Sequence, residues 1–279
     1  MGPAAMNIPT YEPAAALEFF QAGGEVETIP AGSTIFRENR RGHRMLFQRD
    51  KMYLLLKGRV SLIAGTQEIR SVKSGEIFGE MAALANIPRT ATAVAKTACR
   101  VIGLDYRQFT KALAQKPAFA LMLMKVMATR LRETLARVKG AAKLGRAEAS
   151  QGSAVVNPRH LADMVRGLAD DAPVSFLRNQ VILQEGQAGT RMYVVLHGRV
   201  AVTIEGKLVD RVGPGGVLGE LALVDQAPRL ASAVAEDNVT LQPISRNAFI
   251  ALVKLNPQLG VALLAALAER LRYLTGQLK

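Results

Sequence analysis

Two short segments of the chain carry the residues best suited to bind a small charged molecule. Each contains a Gly-Glu pair, Gly79-Glu80 or Gly219-Glu220, and an arginine nine residues beyond the glutamate, Arg89 or Arg229. An arginine can donate two parallel hydrogen bonds to phosphate oxygens, and a glutamate can accept one from a ribose 2′-hydroxyl. Glycine lets the backbone approach a ligand closely, and the apolar turn that follows favours an anion at its first amides. The pattern therefore predicts a pocket for a small phosphorylated ribose.

The two segments belong to a long internal repeat. Glu220 lies 140 positions after Glu80, and the same offset joins matching residues over 52–132 and 192–272. Upstream of this stretch the offset becomes 147, so the first copy holds seven extra residues, roughly Leu46 to Met52. Two fixed offsets on either side of one insertion indicate a duplicated domain rather than a solenoid repeat.

Length, charge and cysteine content limit the class of protein. A chain of 279 residues can form two domains of ordinary size, and its lone cysteine, Cys99, suits the reducing cytoplasm. No apolar run approaches the length of a membrane span. Of the net charge of +13, residues 1–150 contribute +11, from 23 Lys and Arg against 12 Asp and Glu. Scattered basic residues are typical of a solvated surface, and an acidic partner is the alternative.

Short apolar segments between turns predict six strands in each copy. The predicted turns fall at glycines 32, 58, 65 and 75, and at glycines 186, 198, 206 and 215. Many short strands favour a sandwich or a small barrel. A short helix is predicted at Phe109–Leu113 and at Phe249–Val253, and a long helix is predicted to start at Pro117 and at Pro257.

The long helices carry a seam of apolar residues at alternating spacings of three and four. In the second copy this seam is Leu264, Leu267, Leu271, Leu274 and Leu278. Such a short seam is typical of a face packed on its own domain, and a homodimer through the long helices or a helical lid is the alternative. The domains are predicted as residues 1–145 and 157–279, with residues 146–156 as a linker or a helix extension.

The two segments resemble the phosphate-binding cassette of the cyclic-nucleotide-binding domain family, which includes catabolite activator proteins and kinase regulatory subunits. The first cassette matches the family pattern throughout, and the second has leucine in place of phenylalanine. The resemblance implies a mainly β fold of two tandem β jelly-rolls (double-stranded β-helices) with flanking helices, each ending in a long helix. It implies that Glu80 and Glu220 hold the ribose, and that Arg89 and Arg229 hold the cyclic phosphate.

The resemblance also implies further ligand-binding residues around these four. They are Phe78, Gly79, Met81, Ala82, Thr90 and Ala91 in the first copy, and Leu218, Gly219, Leu221, Ala222, Leu230 and Ala231 in the second. Thr134 and Thr275 fall in the long helices near the place where family members cap the base. A threonine on a helix surface is an equally open interpretation of both.

The resemblance implies a bacterial-type cytoplasmic sensor or regulatory protein that binds cyclic AMP or cyclic GMP and signals to a separate effector protein. The basic insert Leu46 to Met52 is the candidate contact with that effector, and a tolerated loop insertion is the alternative. No catalytic motif, metal-binding histidine spacing or cofactor site is found, so no enzyme activity is predicted. A structural protein with degenerate pockets, a cyclic-dinucleotide sensor and a nucleic-acid-associated regulator are the alternatives. DNA binding is disfavoured, because no helix-turn-helix follows the second copy.

The two sites are predicted to differ in affinity or in base preference. Thr90, with a hydroxyl, follows the first arginine, whereas Leu230, with no donor or acceptor, follows the second. Isothermal titration of Arg89→Ala and Arg229→Ala, each of which leaves one intact site, should give distinct profiles for cyclic AMP and cyclic GMP. Identical residual profiles for both nucleotides would contradict the prediction.

Overall fold

The structure is a computed structural model that describes residues 11–39, 50–140, 150–151, 172–225 and 227–276. The side chains of residues 138–140 and 150–151 are not described. The predicted domain boundaries at 145/146 and 156/157 lie outside these residues and stay predictions. Most of the predicted insert also lies outside them, but Lys51 and Met52 belong to a strand and Met52 is buried.

Six α-helices occur in the described residues. They are α1 Pro13–Gln21, α2 Glu80–Ala85, α3 Tyr106–Gln115, α4 Ala118–Gly140, α5 Arg246–Leu255 and α6 Pro257–Gly276. Both predicted short helices and both predicted long helices are present. Pro117 immediately precedes α4 and Pro257 is the first residue of α6, because proline fits only the first turn of a helix.

The strands of the first copy form two four-stranded antiparallel sheets, here called the first roll. Their orders are β1-β8-β3-β6 and β2-β7-β4-β5. The strands are β1 Glu25–Ile29, β2 Thr34–Phe36, β3 Lys51–Lys57, β4 Arg59–Ala64, β5 Gln67–Lys73, β6 Ile77–Phe78, β7 Thr92–Ala95 and β8 Cys99–Asp105.

The strands of the second copy repeat this topology in the second roll. The sheet orders are β10-β17-β12-β15 and β11-β16-β13-β14, and β9, Ser150–Gln151, adds a parallel strand to the edge of β14. The other strands are β10 Val174–Phe176, β11 Val181–Leu183, β12 Met192–His197, β13 Val200–Ile204, β14 Lys207–Val212, β15 Val217–Leu218, β16 Ser232–Ala235 and β17 Val239–Ile244. The predicted mainly β fold with two tandem rolls is confirmed.

The cores of the two rolls use equivalent positions. Each roll buries a cluster of eight side chains, and every member of one cluster lies 140 positions from a member of the other. In the first roll they are Leu55, Val60, Val72, Phe78, Ala93, Ala95, Cys99 and Val101. All eight predicted turn glycines have a positive φ. The internal repeat therefore fixes core and turns together.

Several elements were not predicted. Strands β6 and β15 have two residues each, too few to show a period. Strands β1 and β10 lie at sheet edges, and their side chains are largely exposed, which hides the apolar alternation. Helix α1 has no side-chain cap at Glu12, and it is fixed instead by tertiary packing of Phe19 and Phe20.

The described residues fall into two compact units that differ from the sequence copies in their long helices. The first unit comprises residues 11–120 with 253–272, and the second comprises residues 121–252 with 273–276. Most of α4, which follows the first roll in sequence, thus groups with the second roll, and most of α6 groups with the first. The seam residues Met124, Met127, Leu264, Leu267 and Leu271 are buried within this single chain. The structure therefore gives no support for a homodimer through the long helices, which stays a prediction.

Among the residues that the structure describes, no single helix is long and apolar enough to cross a membrane, and α5 and α6 pass that test only as a bent pair.

An aromatic cluster anchors α1 to the helices of the first unit. The ring of Phe19 stacks on Phe119 at 3.6 Å between centroids and lies 5.3 Å from Phe109. We expect Phe19→Ala to lower the free energy of unfolding by about 3–5 kcal/mol, because it opens a cavity where the side chain is fully buried. Denaturant unfolding followed by circular dichroism would measure this loss.

Leu255→Ala is the matched control, because its side chain is 82% exposed in the same unit. It should change the stability by less than about 0.5 kcal/mol. Equal effects of the two variants would contradict a core role for α1.

Candidate functional site

Each predicted cassette begins where a two-residue strand leaves the roll. Strand β6 pairs with β3 through Phe78 and Tyr53, and β15 pairs with β12 through Leu218 and Tyr193. In the first roll the chain continues into α2. In the second roll it forms only a four-residue 3₁₀ turn, Glu220–Leu223. The strand pairs thus fix the start of both cassettes against the central strand of one sheet.

The glycine before each glutamate is required for two reasons. Gly79 and Gly219 adopt left-handed φ values of 76° and 69°, which side chains other than glycine rarely tolerate. A Cβ atom would also lie 2.9 Å from Nη1 of Arg89 at position 79, and 2.2 Å from Nη1 of Arg229 at position 219. The glycines therefore make room for the arginines of their own cassettes, beyond the predicted approach to a ligand.

Arg89 is almost fully enclosed in the first unit, with a side chain 5% exposed. Its Nη1 donates to the carbonyl of Gly79 at 2.8 Å, and its Nη2 donates to the carbonyl of Lys51 at 2.9 Å. Nη2 also lies 2.9 Å from Oδ1 of Asp50, and the guanidinium carbon lies 4.2 Å from the ring centroid of Phe36. Nε is buried and has no hydrogen-bond partner among the described residues. The Nε–H donor thus remains for a further acceptor.

Arg229 repeats this arrangement in the second unit with weaker support. Nη1 donates to Gly219 and Nη2 donates to Arg191, both at 3.1 Å and both to backbone carbonyls. Lys51 and Arg191 are structurally equivalent positions, 140 residues apart, so the extra residues of the first copy precede Lys51 and do not extend to Met52 as predicted. Thr190 takes the place of Asp50, and no carboxylate lies within ion-pair distance of Arg229 in the described part of the chain. The second guanidinium is therefore less neutralised than the first.

The pKa values of both arginines respond to these surroundings. Burial lowers the pKa of the Arg89 guanidinium below its ordinary value, and the charges of Asp50 and Glu80 partly oppose that shift. Burial likewise lowers the pKa of Arg229, opposed by Tyr193 and Glu220. An arginine stays protonated in either case. Each site therefore holds a positive charge that is poorly hydrated and close to the predicted glutamate.

The two glutamates lie at the start of the cassette turns, as the motif predicted. Glu80 is the first residue of α2 and Glu220 is the first residue of the 3₁₀ turn, where the helix dipole favours a negative charge. Their exposed fractions are 2% and 4%. Each side chain is thus held inside the protein beside an arginine, and its role toward ribose stays a prediction.

The other predicted site residues of the two cassettes are all buried or half-buried. Phe78 and Leu218 belong to the buried core clusters of the rolls, and Phe78 stacks on Tyr53 at 5.3 Å. The remaining side chains are buried or half-buried: Met81, Ala82, Thr90, Ala91, Leu221, Ala222, Leu230 and Ala231. Thr134 and Thr275 are half-buried, and both belong to the second compact unit. The structure therefore places no predicted base contact in the first unit.

A hydroxyl near the end of each cassette has a structural role that the motif did not reveal. The amide of Glu38 donates to Oγ1 of Thr92 at 3.0 Å, and the amide of Glu185 donates to Oγ of Ser232 at 2.9 Å. Each glutamate carboxylate in turn accepts a turn amide at 2.8 Å, from Gly65 in the first roll and from Glu205 in the second. These bonds fix the strand that follows each arginine.

Sequence reasoning missed Asp50 and the two backbone carbonyls that hold the guanidinium groups. Backbone acceptors leave no trace in residue types, because any residue supplies a carbonyl. Asp50 fell within the predicted insert, where residue types alone do not indicate contact with an arginine. Lys51 binds Glu27 of β1 at 2.6 Å, and this hydrogen bond raises the pKa of Lys51. The Glu27 contact helps to fix the backbone at Asp50 and Lys51.

No group of histidine, cysteine, aspartate and glutamate side chains that could hold a metal ion occurs within the described ranges. Of the three histidines, His43 and His160 lie outside those ranges.

Comparison with known proteins assigns the family. Residues 26–116 and 173–256 match the family model of the cyclic nucleotide-binding domain, and the chain belongs to this family. The two matched ranges include both cassettes. Each copy therefore contains a cyclic-nucleotide-binding domain by sequence.

Named relatives are regulatory proteins. A cAMP-dependent protein kinase regulatory subunit from Debaryomyces hansenii is 27% identical over 219 residues, which cover 76% of this chain and 44% of that protein. A CRP-like cAMP-activated global transcriptional regulator from Mycobacterium tuberculosis is 32% identical over 134 residues, covering 46% of this chain and 57% of that protein. The chain thus spans about half the length of these relatives.

Solved structures include partial matches to this chain. The regulatory domain of Toxoplasma gondii PKA with cAMP is 20% identical, with 85% of this chain and 83% of that chain covered and a TM-score of 0.30. Thermus thermophilus catabolite activator protein is 29% identical, with coverages of 44% and 62% and a TM-score of 0.38. Neither TM-score reaches 0.5, so the family assignment rests on the sequence match.

The glycine geometry leads to a prediction for the second cassette. Gly219→Ala should weaken cyclic AMP binding at the second site by at least about tenfold, because the new Cβ displaces the Arg229 guanidinium. Titration calorimetry in an Arg89→Ala background would isolate that site.

Gly206→Ala is the matched control for backbone strain. Gly206 has a φ of 74°, close to that of Gly219, but a Cβ there would meet no atom within 4 Å. Both variants should lose a similar stability of about 1 kcal/mol from the left-handed conformation, and only Gly219→Ala should lose binding. Equal binding by both variants would show that the close approach to Arg229 is unimportant.

Proposed function

We propose that the chain binds a 3′,5′-cyclic mononucleotide, cyclic AMP or cyclic GMP, in each cassette and passes the signal to a separate protein. The observation that carries this proposal is the buried guanidinium of Arg89, whose Nε has no partner among the described residues, beside a buried Glu80. The same pair of residue types recurs at Arg229 and Glu220. A phosphate beside a ribose hydroxyl is the chemistry that such a pair recognises.

Electrostatics favour an anion at both arginines. A desolvated guanidinium gains more from a charge-assisted hydrogen bond than an exposed one does, because water competes less for its donors. The cyclic phosphate carries one negative charge and can accept at the free Nε, while the backbone carbonyls keep the guanidinium oriented. Glu80 and Glu220 would then accept from the ribose 2′-hydroxyl, which discriminates against deoxyribose.

The two sites are proposed to bind with different strengths. At the first site the phosphate must share the Arg89 guanidinium with the carboxylate of Asp50. At the second site Arg229 is held by neutral carbonyls alone among its close described contacts, and it is more accessible. Binding should therefore neutralise more charge at the second site.

The names of the relatives support cyclic AMP as the first ligand to test, since both are described as cAMP-dependent or cAMP-activated. The kinase regulatory subunit among them makes a protein kinase catalytic subunit the first partner to test for this chain. A cytoplasmic location, a bacterial origin and contact through the basic insert Leu46 to Met52 remain predictions from the sequence.

Thermal unfolding with added nucleotide tests the proposed ligand. Cyclic AMP or cyclic GMP at about 100 times its Kd should stabilise the protein by about 2.7 kcal/mol, because it binds only the folded state. Arg89→Ala and Arg229→Ala should each remove part of the increase in Tm, and the double variant should remove all of it. Arg107→Ala, an exposed arginine of α3, is the control and should keep the full increase.

The alternatives give different outcomes in the same assay. A response only to a cyclic dinucleotide would replace the proposed ligand, and no response to any nucleotide would leave a structural protein with degenerate pockets. The 2′-deoxy analogue of cyclic AMP should bind more weakly if the glutamates hold the ribose. DNA binding that weakens steeply with salt would favour the nucleic-acid-associated regulator.

A further inference from the structure

A salt bridge in the second compact unit joins helix α4 to the second cassette. Nε of Arg132 lies 3.0 Å from Oδ2 of Asp225, and Nη2 donates to Oδ1 at 3.1 Å. Nη1 of the same guanidinium donates to the carbonyl of Pro228 at 2.8 Å. Pro228 immediately precedes Arg229, and Asp225 follows the 3₁₀ turn by two residues. One side chain thus fixes both ends of the segment between the turn and Arg229.

Burial makes this pair stronger than an ordinary surface salt bridge. Asp225 is 6% exposed and Arg132 is 24% exposed, and their contact is bidentate. Exposed ion pairs contribute little, whereas loss of one partner of a buried pair leaves an uncompensated charge in a poorly hydrated place. Removal of Arg132 would therefore leave the Asp225 carboxylate unneutralised. Asp225 lies four positions before Arg229, the residue predicted to bind the phosphate.

Among the described residues, the first cassette does not repeat the Arg132–Asp225 pair. The position equivalent to Asp225 is Ala85, and the position equivalent to Arg132 is Arg272, which is exposed. The first turn forms a complete α-helix that ends at Asn86 in the left-handed conformation, with a φ of 52°. The second turn ends after Leu223 as a 3₁₀ helix. The cassette with the shorter turn thus carries the Arg132–Asp225 salt bridge, which is here called the clamp.

Arg132 comes from the first sequence copy. Helix α4 follows α3 after only two residues, and Arg132 lies outside the family match at 173–256. In the structure, however, Arg132 belongs to the second compact unit, which contains residues 121–252 and therefore the second cassette. The second cassette is therefore supported by a residue that the second copy does not contain.

We propose that Arg132 and Asp225 are positioning residues that hold the second cassette in its binding conformation, so that the second site is complete only with a helix from the first copy. The clamp fixes the backbone on either side of residue 226 and cancels the Asp225 charge before an anion binds. Its effect on nucleotide affinity rests on the proposed function, whereas its effect on the cassette backbone does not.

Hydrogen exchange of the full chain without nucleotide tests the clamp itself. The amides of Val224 and Asp225 donate to the carbonyl of Leu221 at 3.0 and 3.1 Å. Arg132→Ala should speed exchange of these two amides by at least about tenfold, equivalent to about 1.4 kcal/mol of local opening. Arg272→Ala, at the equivalent position of the other long helix, should leave exchange in both cassettes within about twofold of the parent protein. An equally small change for Arg132→Ala would overturn the clamp.

Cyclic AMP titration in the Arg89→Ala background then tests the effect on binding. Arg132→Ala should weaken the second site by about tenfold or more, and Asp225→Asn should weaken it less, because the amide keeps the shape without leaving a buried charge. The double variant Arg132→Ala/Asp225→Asn should be weaker than the parent by less than the product of the two single effects, since the charges act as a pair. Independent effects that multiply, or unchanged affinity with faster exchange, would overturn the positioning role.

One further variant and one further outcome keep the tests decisive. If Arg132→Ala does not fold, Arg132→Lys retains one charged contact to Asp225 but loses the bidentate geometry, and it should show a smaller change in the same direction. If the parent chain binds no cyclic nucleotide, the proposed function fails, and the exchange measurement alone decides whether the clamp exists.

Discussion

The need to keep a charged guanidinium inside each roll sets the structure of the rest of the cassette. Burial disfavours the charge of Arg89 and Arg229, yet arginine does not give up its proton. Two backbone carbonyls must therefore point at it, one from the cassette glycine and one from the residue at the start of β3 or just before β12. These acceptors are available only if the short strand pairs in register and the glycine adopts a positive φ.

Duplication preserved this arrangement but changed its supports. The eight core positions of each roll and the carbonyl contacts of the arginines are equivalent. The groups around them differ: Asp50 and Phe36 contact the first arginine, whereas Arg132 reaches the second cassette through Asp225. The shared parts are the apolar core, the backbone contacts, and the arginine and buried glutamate of each cassette, whereas the divergent parts are the charged and aromatic groups around them. Equivalent cores and carbonyl contacts, combined with different electrostatics and different cassette turns, give two sites of one design and unequal properties.

Much of the fold could be predicted from the sequence, because most elements recur 140 positions later and each copy supports the prediction for the other. The repeat also pointed to the glutamate and arginine of each cassette. Turn glycines, most strands and both long helices followed from spacing alone. The edge strands, helix α1 and the exchange of the long helices between units did not, since they depend on tertiary packing that local patterns do not record. Asp225 and Arg132 lie 93 positions apart, and neither stands out by type among the other charged residues.

The grouping of α4 with the second roll and of α6 with the first has a consequence for the integrity of the chain. A cut within residues 141–149 would leave each fragment with the helix that the roll of the other fragment packs against. Neither fragment could reach its full fold alone, and recovery would need the two to recombine. The two copies of the repeat therefore depend on each other for folding, and loss of either copy would destabilise the other.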